Sequence, residues 1–367
     1  MTPRPAGRDI SGTPAASEMT VLVTGGTGFL GTSLGRRLLA DGARVRVLAR
    51  SAAKAGPLAE MGADIVLGDI NDQPAVSRAV DGVQVVYHLA GPLLVPGISA
   101  GEYWRTHVTG TELLLDCCER RPGIERIVYC STTGVLGVTG DRPAGEESLF
   151  RPTNAYERAK AAAEAAVRAR WGPGFPAVIV RPGLVYGPGD IHLLPFFQSI
   201  SRHRFRPIGR REAWLHPVYI DDMTEALICC GYRQAAVGQC FHIAGREPVA
   251  ISDLARLIAE AEGTRLPPGR IPVAAARAVA GVGDRLPAAL RQYVPLTSSR
   301  VEFLTHSRMY DVSKAARLLG FTAPTDLPTG LARTVAWYRL LGYLPPPAAA
   351  QGGTGKEVPH CGFGTTS

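Results

Sequence analysis

The chain has 367 residues, 46% of them hydrophobic and 20% charged, a globular composition long enough for one large domain or two unequal lobes. Its formal charge of +8 comes from arginines spread along the chain, with lysine only at 54, 160, 314 and 356, and this scatter argues against a nucleic-acid-binding face. The seven cysteines form no Cys-x-x-Cys pair, and neither a signal-peptide core nor an apolar run of bilayer length is visible, so buried thiols in a reducing, cytoplasmic protein without a transmembrane segment are expected.

Residues 1–18 and 344–367 are low-complexity ends rich in Pro, Gly, Ala and Thr, and their composition predicts disorder. Between them, short β-rich runs alternate with amphipathic helical patterns. This predicts an α/β fold, a Rossmann-type doubly wound parallel sheet with helices on both faces. Strands are expected near 20–24, 44–49, 64–68, 84–89, 126–131 and 177–182, and helices near 29–41, 73–80, 101–120 and 153–170.

The first strand runs into Thr24-Gly-Gly-Thr-Gly-Phe-Leu-Gly31, and Leu30, Leu34 and Leu38 then follow at helical spacing. Glycines at 25, 28 and 31 allow positive φ and close backbone approach, and the following helix N-terminus attracts a phosphate. The stretch could cradle the pyrophosphate of a dinucleotide. The second strand ends in Ala49-Arg50, with Lys54 soon after, where an acidic residue would read the hydroxyls of the adenosine ribose. Arginine there suits a 2′-phosphate, so NADP is favoured over NAD. After the third strand, the Asp69 carboxylate in Gly68-Asp69-Ile70 could receive the adenine amino group. After the fourth, Leu89, Ala90 and Gly91 would let a cofactor lie against the sheet.

The fifth strand ends in Tyr129-Cys-Ser-Thr-Thr-Gly-Val-Leu-Gly137, which offers hydroxyls at Ser131 and Thr132. Tyr156-Glu-Arg-Ala-Lys160 falls in an alanine-rich helical run, and the i, i+4 spacing puts phenol and ammonium on one face. An ordinary tyrosine, with a pKa of about 10, is a poor base at neutral pH. A neighbouring ammonium favours the phenolate and makes acid–base work possible.

Together with Arg181-Pro-Gly-Leu-Val-Tyr-Gly-Pro-Gly-Asp190, Val218-Tyr-Ile-Asp-Asp-Met223 and Phe241-His-Ile-Ala-Gly245, these motifs resemble the extended short-chain dehydrogenase/reductase family, also called the NAD-dependent epimerase/dehydratase superfamily. The resemblance covers about residues 19–343. It implies that Tyr156 is the acid/base, that Lys160 lowers its pKa and holds the nicotinamide ribose, and that Thr132 hydrogen-bonds the reacting oxygen, Ser131 being the adjacent alternative. It further implies cofactor contacts at Gly25, Gly28, Phe29, Leu30, Arg50, Asp69, Ile70, Leu89, Ala90, Gly91, Tyr156, Lys160 and Pro182. The expected organisation is a cofactor domain of residues 19–186 plus 217–244, a substrate lobe of 187–216 plus 245–343, and a homodimer.

Departures from the family pattern narrow the chemistry. Thr132 is followed by Thr133 and Gly134 rather than the Asp-Glu pair of sugar dehydratases, so elimination lacks its acid and base. Leu184 and Leu215 stand where nucleotide-sugar epimerases carry Asn and Arg that hold the diphosphate. The text resembles 3β-hydroxysteroid, sterol-4-carboxylate and dihydroflavonol-type members, which implies NAD(P)-dependent hydride transfer on a secondary alcohol or ketone of a largely apolar small molecule. The competing readings are a sugar-nucleotide epimerase using transient oxidation and a non-catalytic dinucleotide sensor. The basic run Arg202–Arg211 could meet an anionic group or be a solvated loop, and the apolar Ile271–Leu290 stretch is expected as a helix for a pocket or core, with a partner or membrane-surface contact as the alternative. His107 stands where relatives usually have Asn and receives no role. His192, His203 and His216 show no metal spacing, so no metal site is expected.

Overall fold

The computed structural model describes residues 19–95, 97–172, 174–285 and 297–347. The ends expected to be disordered (1–18, and the tail from 348), Cys361 and residues 286–290 of the alanine-rich stretch lie outside the described residues.

Seven parallel strands form the main sheet: β1 (Thr20–Thr24), β2 (Arg44–Ala49), β3 (Asp64–Leu67), β4 (Val85–His88), β5 (Arg126–Cys130), β6 (Ala177–Pro182) and β10 (Cys240–Ile243). Their order is β3-β2-β1-β4-β5-β6-β10, so the direction of winding reverses between β1 and β4. At such a switch point the connections leave to opposite sides and open a crevice at the carboxyl ends of the strands. Two short ladders flank the sheet: β7 (Leu184–Tyr186) with β9 (Pro217–Tyr219), and β8 (Trp214–Leu215) with β11 (Val249–Ala250).

The helices are α1 (Phe29–Ala40), α2 (Ala52–Ala59), α3 (Gln73–Ala79), α4 (Ala100–Trp104), α5 (Gly110–Glu119), α6 (Ala155–Ala169), α7 (Leu194–Ser201), α8 (Ile220–Tyr232), α9 (Ile251–Glu262), α10 (Val273–Asp284), α11 (Ser298–Thr305), α12 (Ser313–Leu319) and α13 (Leu327–Leu340). Strands buried on both faces read as unbroken apolar runs, and their alternate residues enter two different cores. Val21, Val23, Val45 and Val47 pack with Leu34 of α1 and Met223 of α8. Leu22, Leu48, Val86 and Ile127 pack with Val76 of α3, Leu114 of α5 and Ala163 of α6. A third core joins Phe197, Leu254, Ile258, Leu331 and Tyr338 in the C-terminal lobe.

Three features differ from the sequence-based expectation. The helix expected over 101–120 is interrupted by a π-helical turn at Arg105–Thr109. Gly110 packs so closely on Ile70 that a Cβ would come within 2.7 Å of its side chain, and the Thr111 hydroxyl donates to the carbonyl of His107 at 2.5 Å. The widened turn accommodates both contacts. The stretch 245–343 does not lie wholly in the lobe, because Ala315, Leu319 and Phe321 return to the first sheet core. Leu344, expected in the disordered tail, is buried in the lobe core.

The lobe also buries a carboxylate without a partner. Neither oxygen of Glu262, at the end of α9, has a hydrogen bond, although Arg339 on α13 donates to its backbone carbonyl at 2.7 Å. Burial pushes the Glu262 carboxyl up to about 8, with Arg339 only partly opposing the shift. A raised acid favours the folded state below the unfolded value near 4.5 and loses that contribution as pH rises through the folded value. Glu262→Gln, a neutral isostere, therefore leaves the urea midpoint unchanged near pH 4.5. By pH 8.5 it stabilises the protein by on the order of 3 kcal/mol.

Candidate active site

The loops after β1 and β4 border the crevice at the switch point of the main sheet. The loop after β1 is tight for steric reasons. Gly25 has φ +73° and lies against Leu89, so a Cβ would come within 2.7 Å of the Leu89 backbone. A Cβ on Gly31 would sit 2.1 Å from the Gly25 carbonyl oxygen. Gly28 caps α1 without a side-chain acceptor, and the first turn carries no acidic residue. The first amides of α1 are thus left for an anion, and the cradle fits a pyrophosphate.

At the adenosine end, Arg50 and Asp69 face each other at 3.9 Å, and the Arg50 side chain is 80% exposed. Partial burial pushes the Asp69 carboxyl up, but hydrogen bonds from Asn71 and the charges of Arg50 and Arg105 hold it below its ordinary value. Oδ1 accepts both the backbone and side-chain N–H of Asn71, at 2.9 and 2.8 Å, which steers the carboxylate. Ile70 is buried beneath this corner.

The turn after β4 is held by a buried chain of hydrogen bonds that the sequence reading did not single out. Thr111 donates to the His107 carbonyl, so its oxygen accepts from His88 Nε2 at 2.8 Å. His88 Nδ1 is then an acceptor and takes the Thr24 hydroxyl at 2.7 Å, while the Thr24 oxygen accepts from Ala90 N–H at 3.3 Å. One tautomer of His88 satisfies every member, and burial keeps that ring neutral by lowering its pKa to about 3. The glycine loop and Leu89–Gly91 are thereby locked to each other across the switch point.

On the chemical side, Tyr156 and Lys160 stand one turn apart on α6, which Asn154 caps by accepting from the Glu157 amide. The Lys160 ammonium donates to the Cys130 carbonyl at 2.5 Å and lies 4.6 Å from the centre of the Tyr129 ring. Burial lowers its pKa to about 8. Burial raises the Tyr156 phenol above its ordinary value, and the polar contact of Thr132 only partly offsets this. This burial is the largest influence on the phenol, and the Lys160 ammonium is engaged by the Cys130 carbonyl.

Of the two hydroxyls at the end of β5, Ser131 is buried and donates to Glu164 at 2.7 Å. Thr132 accepts the Gly134 amide at 3.0 Å, and its side chain is in hydrogen-bonding contact with the Tyr156 phenol. Thr133 donates to the Pro182 carbonyl at 2.9 Å and so fixes the end of β6 against the same loop. Glu164, eight residues after Tyr156 on the same helix, forms a buried pair with Arg181 of β6 at 2.6 Å. Its spacing, one further turn beyond Lys160, was the available signal for this residue.

His107 lies on the π-helical turn, 5.4 Å edge-on from the Tyr156 ring. Its ring occupies the place a Cβ on Gly91 would take, and its Nε2 donates to the Pro92 carbonyl at 3.0 Å. Burial lowers its pKa to about 3, so it stays neutral and acts as a wall of the site. The basic run behaves as a solvated loop: Arg202, Arg204, Arg210 and Arg211 are exposed, while Phe205 and Ile208 anchor it. His203 and His216 bond backbone carbonyls, and among the described residues no group of three or more His, Cys, Asp or Glu is placed to hold a metal ion. No helix among those residues is long and apolar enough to cross a membrane.

Residues 21–244 match the model of the NAD dependent epimerase/dehydratase family. The chain is 31% identical, over 85% of its length and 95% of the relative, to the 4-hydroxy-2-methyl-3-oxo-4-farnesyl-3,4-dihydroquinoline-1-oxide ketoreductase of Stigmatella aurantiaca. It is 32% identical, over 82% of its length and 85% of the relative, to a 3 beta-hydroxysteroid dehydrogenase/Delta 5-->4-isomerase of Mycobacterium tuberculosis. In fold it is similar to the UDP-glucuronic acid 4-epimerase of Bacillus cereus solved with UDP-glucuronic acid and NAD, with a TM-score of 0.71 at 21% identity, covering 88% of this chain and all of the other.

Proposed function

The chain belongs to the NAD dependent epimerase/dehydratase family, as an enzyme of its oxidoreductase branch, and we propose that it interconverts a ketone and a secondary alcohol on a largely apolar small molecule. The observation that carries the reading is the division of labour at the end of β5. Ser131 is committed to Glu164, while the Thr132 hydroxyl is in hydrogen-bonding contact with the Tyr156 phenol. That leaves two O–H donors to converge on one substrate oxygen, the arrangement needed to polarise a carbonyl and protonate the alkoxide formed from it. The names of the two relatives, a ketoreductase and a hydroxysteroid dehydrogenase, support the same substrate chemistry.

In this reading the glycine loop and the first amides of α1 hold the pyrophosphate, Asp69 and Ile70 the adenine, and Leu89, Ala90, Gly91 and Pro182 the face against the sheet. Phe29 and Leu30 pack behind the phosphates, and Lys160 holds the nicotinamide ribose. The bound nicotinamide supplies or accepts the hydride. Thr132 orients the reacting oxygen, and Tyr156 gives or takes its proton. The Lys160 ammonium, held on the Cys130 carbonyl, keeps a positive charge near a phenolate that forms during turnover.

Arg50 supports NADP over NAD. It is exposed at the end of β2, it meets the carboxylate of Asp69 at 3.9 Å, and its fork of donors suits a 2′-phosphate. NADPH is expected to bind at least tenfold more tightly than NADH by fluorescence titration, and Arg50→Ala to erase most of that difference. Equal affinities in the parent protein would refute the preference.

The epimerase reading is separated by nicotinamide absorbance during turnover, since net redox consumes reduced cofactor stoichiometrically and epimerisation does not. A homodimer, which rests on the family resemblance, and a cytoplasmic location, which rests on the unpaired, mostly buried cysteines among the described residues, complete the proposal.

A further inference from the structure

We propose that the face formed by the Arg202–Arg211 run and α10 docks on a membrane surface rich in anionic phospholipid, with α10 lying in the plane of the interface. This goes beyond the redox reading and does not depend on it. Two stretches outside the cofactor and catalytic residues come together here. His203 Nδ1 bonds the Arg265 carbonyl at 3.0 Å, Arg206 donates to that of Pro268 at 3.2 Å, and the Gly209 amide donates to that of Ile271 at 2.8 Å. Residues 203–209 and 265–271 therefore run side by side in the same direction, with Phe205 and Ile208 turned into the lobe.

The pairing gathers charge that looks scattered along the chain. All five arginines of residues 202–211 and all four of residues 263–285 are exposed, and Asp284 is the one acidic residue in the two stretches. Among the described residues, Arg270 alone of these nine has an ion pair, with Glu212. A concentration of unpaired guanidinium groups on one surface calls for anions from outside the molecule.

α10 adds apolar surface to this charge. Its Ala276 and Ala280 pack on Ile208 and on Val301 of α11. At about 100° per residue, Ala274, Ala275, Ala278, Val279 and Val282 fall on the opposite side of the helix. All five are exposed, Val279 at 48% and Val282 at 63%. Arg277 is the one charged residue from Val273 to Gly283, so the helix lacks the polar face that a surface helix normally turns to water.

The two features together select the occupant. A nucleic acid would answer the arginines and leave the valines bare. An anionic membrane answers both, because headgroup phosphates meet the guanidinium forks while valine and alanine side chains enter the acyl boundary. At about 18 Å, α10 is too short to cross a bilayer and long enough to lie along one.

The test is sedimentation of the full chain with vesicles of phosphatidylcholine alone or with about one-third phosphatidylglycerol. The protein should sediment with the mixed vesicles, remain in solution with phosphatidylcholine alone, and bind more weakly as salt is raised. Val279→Glu together with Val282→Glu should weaken binding at least tenfold. Arg210→Ala and Arg211→Ala should weaken it about fivefold for each arginine removed. Arg120→Ala with Arg142→Ala, exposed arginines elsewhere in the chain, should bind as the parent does. Every substituted side chain is exposed, so each variant should keep the parental urea midpoint.

No binding to the mixed vesicles, or equal binding to phosphatidylcholine alone, overturns the proposal. So does full retention of binding by the Val279 and Val282 variant, which would reduce the surface to a charge patch. Tighter binding of a short DNA duplex than of the mixed vesicles overturns it in favour of a nucleic acid. None of these measurements involves turnover, so failure of the redox reading would show in the ketone assay and leave this result untouched.

Discussion

Tyr156→Phe is expected to lower turnover by about 10²–10⁴-fold while leaving the dissociation constant of the cofactor near the parental value. The substitution removes one oxygen and retains the ring, which packs edge-on against His107 and Tyr103 at 5.4 and 5.8 Å. The fold around the site therefore has no reason to shift, and the loss falls on proton transfer alone. Burial holds the phenol above its ordinary value, so the acid form persists through neutral pH and suits protonation of an alkoxide. The rate of ketone reduction should therefore stay level through neutral pH and fall only in alkaline solution, whereas alcohol oxidation, which needs the phenolate, should rise with pH. The residual activity of the Phe variant should lack both limbs. Normal turnover by this variant on a confirmed substrate would refute the assignment of Tyr156.

Removing one member of the buried Glu164–Arg181 pair should cost about 3–5 kcal/mol in unfolding free energy, measured by urea denaturation of Glu164→Leu near neutral pH. Both side chains are fully buried, and Glu164 also accepts from Ser131 at 2.7 Å and from Arg168 at 3.0 Å. Arg181 adds a hydrogen bond to the Glu146 carbonyl at 2.9 Å. The leucine would leave the Arg181 guanidinium in the interior with its main counter-charge gone, which is where the penalty originates. Burial alone would raise the Glu164 carboxyl, but the hydrogen bonds and charge of Arg181 hold it below its ordinary value. A depressed acid contributes stability that is present above its unfolded pKa and is lost as pH falls through the folded value, so the cost of Glu164→Leu should shrink in acid. Replacing Arg181 by Met in the same protein should recover much of the stability, because no unpaired charge then remains. Activity should not return, since Ser131 and α6 would still lack the acceptor that joins them.

The fold and most of the site were legible because each depends on local pattern. Fully buried parallel strands are unbroken apolar runs, and every strand expected from them through Pro182 is present within a residue or two at its ends. Glycine at 25 and 31 is required by contacts with Leu89 and with Gly25 itself, so sterics inside one turn and its neighbour put these glycines in the text. The pairing of Tyr156 with Lys160 follows from helical spacing alone. The choice of Thr132 over Ser131 rested on the family resemblance and not on local pattern, because what Ser131 bonds is set by Glu164, thirty-three residues away. His107 was equally opaque. Its neutrality comes from burial under Gly91 and Pro92, brought from another strand, and from a π-helical turn that no periodicity signals.

By itself the sequence determined the doubly wound sheet, the dinucleotide cradle and the residue types available for acid–base work, since strand burial, turn sterics and helix periodicity all act over short stretches of chain. Tertiary structure alone decided three things: that Glu164 takes the Ser131 hydroxyl, that burial is the largest influence on the Tyr156 phenol, and that Leu184 and Leu215 line one apolar region of the lobe. Each depends on groups distant in sequence brought within a few ångströms, where burial and charge act through space.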